Sequence, residues 1–99
     1  MRVLNALENI RSALVFEKRA KQQASQAAAG ELLDLSIEDL QDAIKVLNDG
    51  VLHPDAAFIL SKAITLDQEA KGIANQAQRN AKIDEAIAKK NEAKALMNP

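Results

Sequence analysis

The chain has 99 residues, which is the size of one domain, and it contains no cysteine, so disulfides and thiolate metal sites are excluded. Its formal charge of −1 at pH 7 excludes the strongly basic balance typical of nucleic-acid-binding domains. Aromatic residues make up only 2% of the sequence, beside 3 glycines and 2 prolines, and this composition favours long helices over sheets.

A first long helix is predicted for residues 2–29, because alanine recurs there every seven residues and neither proline nor glycine interrupts the run. Gly30 is its predicted end, since glycine readily adopts the left-handed geometry of a C-terminal cap. Small and aliphatic side chains in the first half of this helix form one apolar face, which we expect to pack against another helix. The face consists of Val3, Ala6, Leu7, Ile10, Ala13 and Leu14.

A short middle helix is predicted for residues 37–49, with apolar residues at helical spacing. Ser36 is the predicted N-cap, because an acidic residue follows it three positions later, and Gly50 is the predicted end. Leu32, Leu33 and Leu35, between Gly30 and Ser36, are expected to lie in an apolar linker that covers one end of the helices.

A second long helix is predicted for residues 54–96. Pro54 is suited to a first helical position, and the only glycine in the stretch is Gly72. Such a helix would be on the order of 60 Å long at the helical rise. Small and branched residues alternate along one line of this helix, which predicts a close helix–helix contact. The line consists of Ala56, Ile59, Ala63, Leu66, Ala70, Ile73 and Ala77.

Together these elements predict an all-α fold in a single domain, residues 1–99. We expect an elongated three-helix chain with two long helices, a short middle helix and alanine-rich, coiled-coil-like packing. The last long helix exceeds what the rest of the chain can cover, and an uncovered alanine-rich arm is marginally stable because each buried methyl contributes only ~0.8 kcal/mol. The sequence therefore predicts that a homo-oligomer completes the fold.

Charge is distributed unevenly along the chain. Residues 31–55 contain seven acidic side chains and one basic side chain, whereas the segments on either side are mildly basic. Our first interpretation is charge complementarity within the chain or between subunits. The alternative is an acidic patch that binds a basic partner, formed by Glu38, Asp39 and Asp42.

No catalytic, cofactor-binding or metal-binding residue is predicted. His53 is the only histidine, and a typical zinc site needs further nitrogen or thiolate ligands. The acidic residues lack the Glu-x-x-His pairs of di-iron bundles, and the sequence has no phosphate-binding glycine loop and no nucleophile with a histidine base. We therefore expect a protein that is not an enzyme and has no cofactor.

The expected partners are other copies of the chain or another helical protein. Two short basic clusters, at residues 18–21 and 89–94, lack the stacking aromatics that would favour nucleic acid. No apolar run approaches the ~18 residues of a membrane span, and Glu8 and Arg11 interrupt any secretory signal at the start. Residues 1–16 could alternatively lie on a membrane or in a partner's groove, but core packing is the favoured interpretation. We expect a cytoplasmic or particle-associated location.

These observations favour a non-enzymatic helical assembly or adaptor protein that acts through protein–protein contacts and self-association. It could be a structural component of a larger particle, such as a virion or a secretion machine, by analogy of composition alone. The alternative function is that of a small acidic regulator or inhibitor that binds a basic site on a target protein.

Overall fold

A computed structural model describes residues 2–97, which form four α-helices joined by short connections. The helices are α1 (Arg2–Lys21), α2 (Gln26–Asp49), α3 (Pro54–Lys71) and α4 (Gln76–Met97). α1 packs against α2, α2 against α3, α3 against α4, and α4 against α1. Because each short connection reverses the chain, neighbouring helices are antiparallel, and the result is an up-down-up-down four-helix bundle. The bundle measures 38 × 17 × 17 Å.

The predicted all-α fold is confirmed for the described residues, but the prediction of three helices is wrong. The helix predicted for 2–29 ends at Lys21, and the helix predicted for 37–49 already begins at Gln26. The N-cap is Ser25, whose hydroxyl accepts a hydrogen bond from the Ala28 N–H at 3.2 Å. Ser36, predicted as the cap, lies in the interior of α2 and is buried.

The predicted helix 54–96 is also wrong, because the chain reverses at residues 72–75. Asn75 begins α4 in the way Ser25 begins α2, since its side-chain oxygen accepts the Gln78 N–H at 2.9 Å. α4 folds back onto α3, so the predicted exposed arm, the elongated shape and the coiled-coil-like packing are not found. Since α4 is covered by its own chain, the reason for expecting oligomerisation no longer applies.

The two halves of the chain repeat one helical hairpin at an offset of 50 residues. Buried and exposed positions coincide along most of the two hairpins. The offset also relates two ion pairs between the hairpins, Lys21 with Asp84 and Lys71 with Asp34. The bundle therefore has approximate twofold symmetry. Identical residues at equivalent positions include Ala6/Ala56, Ala13/Ala63, Ala20/Ala70, Lys21/Lys71, Gln26/Gln76, Asp34/Asp84 and Ala43/Ala93.

Both hairpin turns lie at the same end of the bundle. The Gln26 side chain donates to the carbonyl of Lys71 at 2.8 Å, and its equivalent, Gln76, donates to the carbonyl of Lys21 at 3.1 Å. These bonds satisfy carbonyls at the ends of α1 and α3 that have no helical partner. The turns therefore hold each other in register, and the α2–α3 connection lies at the opposite end.

The core consists of two hydrophobic clusters. The larger cluster joins all four helices from the α2–α3 connection to the middle of the bundle. The smaller cluster lies near the turns and consists of Ala20, Ala29, Leu33, Ala70 and Ile83. Alanine at the buried positions of α1 and α3 allows close helix approach, and Leu or Ile from the facing helices fills the space.

The connection between α2 and α3 contains two residues in left-handed backbone conformation, Val51 (φ 52°) and His53 (φ 42°). A β-branched residue in this region is strained, at a cost of about 1–3 kcal/mol. The Val51 side chain is 85% exposed, so burial does not compensate for that strain.

We predict that Val51→Asn raises the free energy of unfolding by about 0.5–1 kcal/mol, because asparagine tolerates the left-handed region. Urea denaturation followed by circular dichroism measures the change. Val15→Asn is the control, since Val15 is also exposed but helical, and valine and asparagine have similar helix propensities. A destabilised or unchanged Val51→Asn variant would contradict the assignment of strain.

Candidate functional site

One buried polar side chain from each helix meets in the middle of the bundle and separates the two hydrophobic clusters. We call Glu17, Ser36, Asp67 and Lys90 the polar layer; each is 0% exposed. The Lys90 ammonium contacts the carboxylates of Glu17 and Asp67, the latter at 3.4 Å. The Ser36 hydroxyl donates to Asp67 at 2.8 Å.

The polar layer holds two carboxyl groups and one ammonium, and the imbalance is met by a proton. The pKa of Glu17 is raised to about 9, mainly by burial and also by the adjacent Asp67, while Lys90 partly opposes the shift. Glu17 Oε1 and Asp67 Oδ1 are both shielded from solvent without another partner. A proton on Glu17 that is shared with Asp67 would satisfy both oxygens.

The polar layer distinguishes the two hairpins. Glu17 and Asp67 are equivalent in the repeat, but Lys90 corresponds to Leu40 in the first hairpin. Two copies of the first hairpin would therefore bury two carboxyl groups without a cation, which is costly. The layer thus disfavours the pairing of two first hairpins, and its complete burial gives no substrate access to these groups.

Arg79 links the two turns at the end of the bundle. It is fully buried, and its Nη1 donates to the carbonyls of Ile73 and Ala74 in the second turn, both at 3.1 Å. Its Nη2 donates to the carbonyls of Gln23 and Ala24 in the first turn, at 2.6 and 3.3 Å. The five-donor fork of arginine suits this task, because one side chain satisfies carbonyls of both turns.

On the outside of the second hairpin, a groove lies between its two helices. The groove between α3 and α4 is charged, and its lining is Lys62, Thr65, Leu66, Glu69, Glu85 and Lys89. The equivalent positions of the first hairpin are Ser12, Val15, Phe16, Arg19, Leu35 and Asp39. Val15 is 49% exposed and Leu35 is 41% exposed, so the first hairpin presents apolar side chains where the second presents Thr65 and Glu85.

The apolar residues predicted for helix contacts pack largely within the chain. On α1, Val3 is half-buried and the others are buried: Ala6, Leu7, Ile10, Ala13 and Leu14. On α3, Ala56, Ala63 and Ala70 are buried, and Ile59 and Leu66 are half-buried. Ile73 lies in the second turn, and Ala77 is exposed on α4. A role of these residues in contacts between chains stays a prediction.

The predicted acidic patch lies on α2. Glu38 and Asp42 are exposed, whereas Asp39 is half-buried, and its Oδ2 is shielded from solvent without a hydrogen-bond donor. The sequence analysis missed the polar layer and Arg79. The signal that could have indicated the layer is the repeat, which places Glu17 and Asp67 at equivalent positions of two otherwise apolar rows.

Within residues 2–97, no group of three or more histidine, aspartate or glutamate side chains is placed to hold a metal ion. Across the same part of the chain, no helix combines the length and apolarity needed to cross a membrane. Comparisons with protein-family models, curated proteins and solved structures find no match.

We predict that Glu17→Gln flattens the pH dependence of stability. The pKa of Glu17 is about 9 in the folded protein, against an ordinary value of 4.5. Between pH 4.5 and pH 9, the folded state therefore binds more protons at Glu17 than the unfolded state does. The native protein should therefore lose stability as pH rises through this window, by up to about 1 kcal/mol per pH unit. Glutamine stays neutral and can still bond to both neighbours.

Urea unfolding at several pH values between 5 and 9 measures this difference, with Glu8→Gln, an exposed residue, as the control. If the free energy of unfolding changed with pH in the same way for the native chain and for Glu17→Gln, Glu17 would not hold an extra proton in the folded state.

We also predict that Arg79→Met destabilises the bundle by about 2 kcal/mol, because carbonyls in both turns lose their donor. Hydrogen exchange should increase at residues 22–25 and 72–75, while residues 50–53 stay unchanged. Arg11→Met, at an exposed position of α1, is the matched control. Faster exchange in one turn only would show that Arg79 does not couple the two.

Proposed function

We propose that this chain is a non-enzymatic helical adaptor that acts through protein–protein contacts. One observation carries the proposal: the side chains with unusual electrostatics are sealed in the core, while several large apolar side chains lie outside it. Exposed apolar surface on a small bundle is typical of a contact site. These exposed residues are Leu4, Val15, Leu35, Val51, Phe58 and Leu96.

The character of the polar groups supports a non-enzymatic role. Catalysis requires a charged or nucleophilic group that a substrate can reach. In the described part of the chain, the group with a strongly shifted pKa, Glu17, is fully buried, and its neighbours are buried as well. Neither the α3–α4 groove nor the cavity between α2 and α3, which is lined by Gln26, Glu31 and Lys71 among others, contains a histidine or cysteine.

Self-association is the form of this proposal in which the partner is another copy, as in a structural component of a larger particle such as a virion or secretion machine. Self-association is supported by the same exposed apolar side chains, since the structure has no uncovered helical arm in its described residues. The exposed Phe58, over which the Lys62 ammonium lies 4.7 Å from the ring centre, is one candidate contact for it.

The acidic-regulator function is the second candidate, and the outer face of α2 favours it. Glu31, Glu38, Asp42 and Asp49 are exposed at intervals that place them on one side of the helix. None of them forms an ion pair with a described side chain. A basic partner would neutralise this row.

Site-specific photo-cross-linking in the native host tests the proposal. A cross-linking amino acid at Val15, Leu35 or Phe58 should give a discrete protein adduct, whereas the exposed polar position Gln68 should not. An adduct of two 10.7 kDa chains would identify self-association, and a larger or mixed adduct would identify a different partner. If none of the apolar positions gives a discrete adduct, the adaptor function is wrong.

A further inference from the structure

We propose that the α2–α3 connection, residues 50–53, is a hinge, and that its opening lets the two hairpins of one chain pair with the hairpins of a second copy of the same chain. The product is a hairpin-swapped dimer that contains two complete bundles. The swap goes beyond the proposed adaptor function and does not depend on it, because it uses the interface inside the bundle rather than the exposed apolar side chains. Two observations carry it, the strained backbone of the connection and the chemistry of that interface.

The end of α2 has the hydrogen bonds of a Schellman motif. The Leu52 N–H donates to the carbonyl of Leu47 at 2.7 Å, and the Val51 N–H donates to the carbonyl of Asn48 at 3.1 Å. This motif needs one left-handed residue, usually glycine, and here that residue is Val51 with φ 52°. The glycine of the connection lies one position too early, since Gly50 has φ −90°. A β-branched residue thus occupies the position that it tolerates least.

His53 is the second strained residue of the connection. Its backbone is left-handed (φ 42°, ψ 63°) although it precedes Pro54, and the residue before a proline favours the β or polyproline region. Its side chain forms no capping hydrogen bond to α3. Valine favours the β region too. An extended connection therefore relieves both residues, and Pro54 prevents the opened segment from continuing as a helix.

Little packing holds the connection closed. Val51 is exposed, and Leu52 and His53 are only half-buried. Leu52 lies against the edge of the larger hydrophobic cluster and is the main apolar contact of the connection. Opening exposes this side chain and two backbone hydrogen bonds to water, but it releases the strain at Val51 and His53. Short connections under strain favour domain swapping for this reason.

The contacts that join the two hairpins can form between two chains as well as within one. The polar layer takes Glu17 and Ser36 from the first hairpin, and Asp67 and Lys90 from the second. In the swapped dimer, each layer receives Asp67 and Lys90 from the second copy. The packing of α1 against α4 and of α2 against α3 is transferred in the same way. The swap therefore keeps the core intact.

Buried charge determines which hairpins pair. Two first hairpins would bury Glu17 twice without a cation, because Leu40 stands where the second hairpin has Lys90. Two second hairpins would bring two Arg79 side chains to one pair of turns, since Ala29 takes that position in the first hairpin. Unlike hairpins give each bundle one buried lysine and one buried arginine. Two copies that open therefore exchange unlike hairpins.

The length of the connection fits an end-to-end dimer. Both hairpin turns lie at one end of the bundle, and residues 50–53 lie at the other, so two bundles can meet at the ends that carry their connections. These residues span at most about 14 Å when extended, which joins two bundle ends that face each other. Because one bundle measures 38 × 17 × 17 Å, the dimer is about twice as long as the monomer and equally wide.

The test compares the native chain after refolding from urea at micromolar and at millimolar concentration. Exchange requires the hairpins to separate, which isolates the buried Lys90, so refolding gives both forms a direct route. Size-exclusion chromatography with light scattering should find a monomer of 10.7 kDa at the lower concentration and an elongated dimer at the higher one.

Isotope-filtered NMR identifies the contacts in the dimer. A dimer refolded from labelled and unlabelled chains should show nuclear Overhauser effects between chains that join methyl groups of α2 to α3 and of α1 to α4. Methyl pairs within one hairpin, α1 with α2 or α3 with α4, should show none between chains. A dimer formed through outer surfaces would show effects between chains at exposed side chains only.

Two matched variants of Val51 separate backbone strain from surface chemistry. Val51→Asn places a residue that tolerates the left-handed region in the closed connection, and it should raise the dissociation constant of the dimer at least roughly 10-fold, because both chains contribute a hinge. Val51→Thr keeps the β-branched side chain and its strain, so its dissociation constant should match that of the native chain. Both variants are polar at an exposed position, so an apolar contact made by Val51 would be lost in both.

The proposal is overturned if the native chain stays monomeric after refolding at millimolar concentration, if the effects between chains come only from exposed side chains, or if Val51→Asn and Val51→Thr change the dissociation constant alike. None of these outcomes affects the adaptor function, because its photo-cross-links come from exposed positions of the folded chain.

Discussion

The bundle depends on one buried ammonium group. Lys90 lies between Glu17 and Asp67, away from water, so the helices that carry these three side chains cannot separate without exposing or isolating a charge. Apolar contacts alone are nearly interchangeable between the hairpins, because their buried rows are so alike. The polar layer reduces that ambiguity, because only the second hairpin supplies the cation, and the raised pKa of Glu17 favours its neutral form and so lowers the electrostatic cost of burial. Arg79 acts in the same sense at the turns, since it bonds to both hairpins.

Composition and periodicity correctly indicated an all-α chain, a helix start at Pro54 and a helix end at Gly50. They failed at the two turns for a physical reason. The first turn contains no glycine or proline, so local propensity favours continuing the helix through it, and its geometry is set by tertiary bonds from Arg79 and Gln76. Gly30, in contrast, is tolerated inside α2, because a single glycine costs only about 1 kcal/mol in a helix.

The site was less accessible to sequence analysis than the fold. A carboxylate such as Glu17 in an otherwise apolar row has no visible partner in the sequence, since Lys90 is distant along the chain and belongs to the other hairpin. The offset of 50 residues would have aligned Glu17 with Asp67, and it would have predicted a pair of equivalent hairpins rather than three helices. The apolar character of Val15 and Leu35 was visible, but their exposure required the orientation of α1 and α2.

The two hairpins of the repeat share their buried pattern but differ at their surfaces. Because packing in the core constrains the buried positions and not the exposed ones, the exposed residues of the two hairpins can differ while the fold stays the same. The first hairpin exposes Val15 and Leu35, while the second exposes Thr65 and Glu85 at the equivalent positions. A chain of this size can thus present different surface chemistry at equivalent places on its two flanks, so that the two flanks are not interchangeable for a partner.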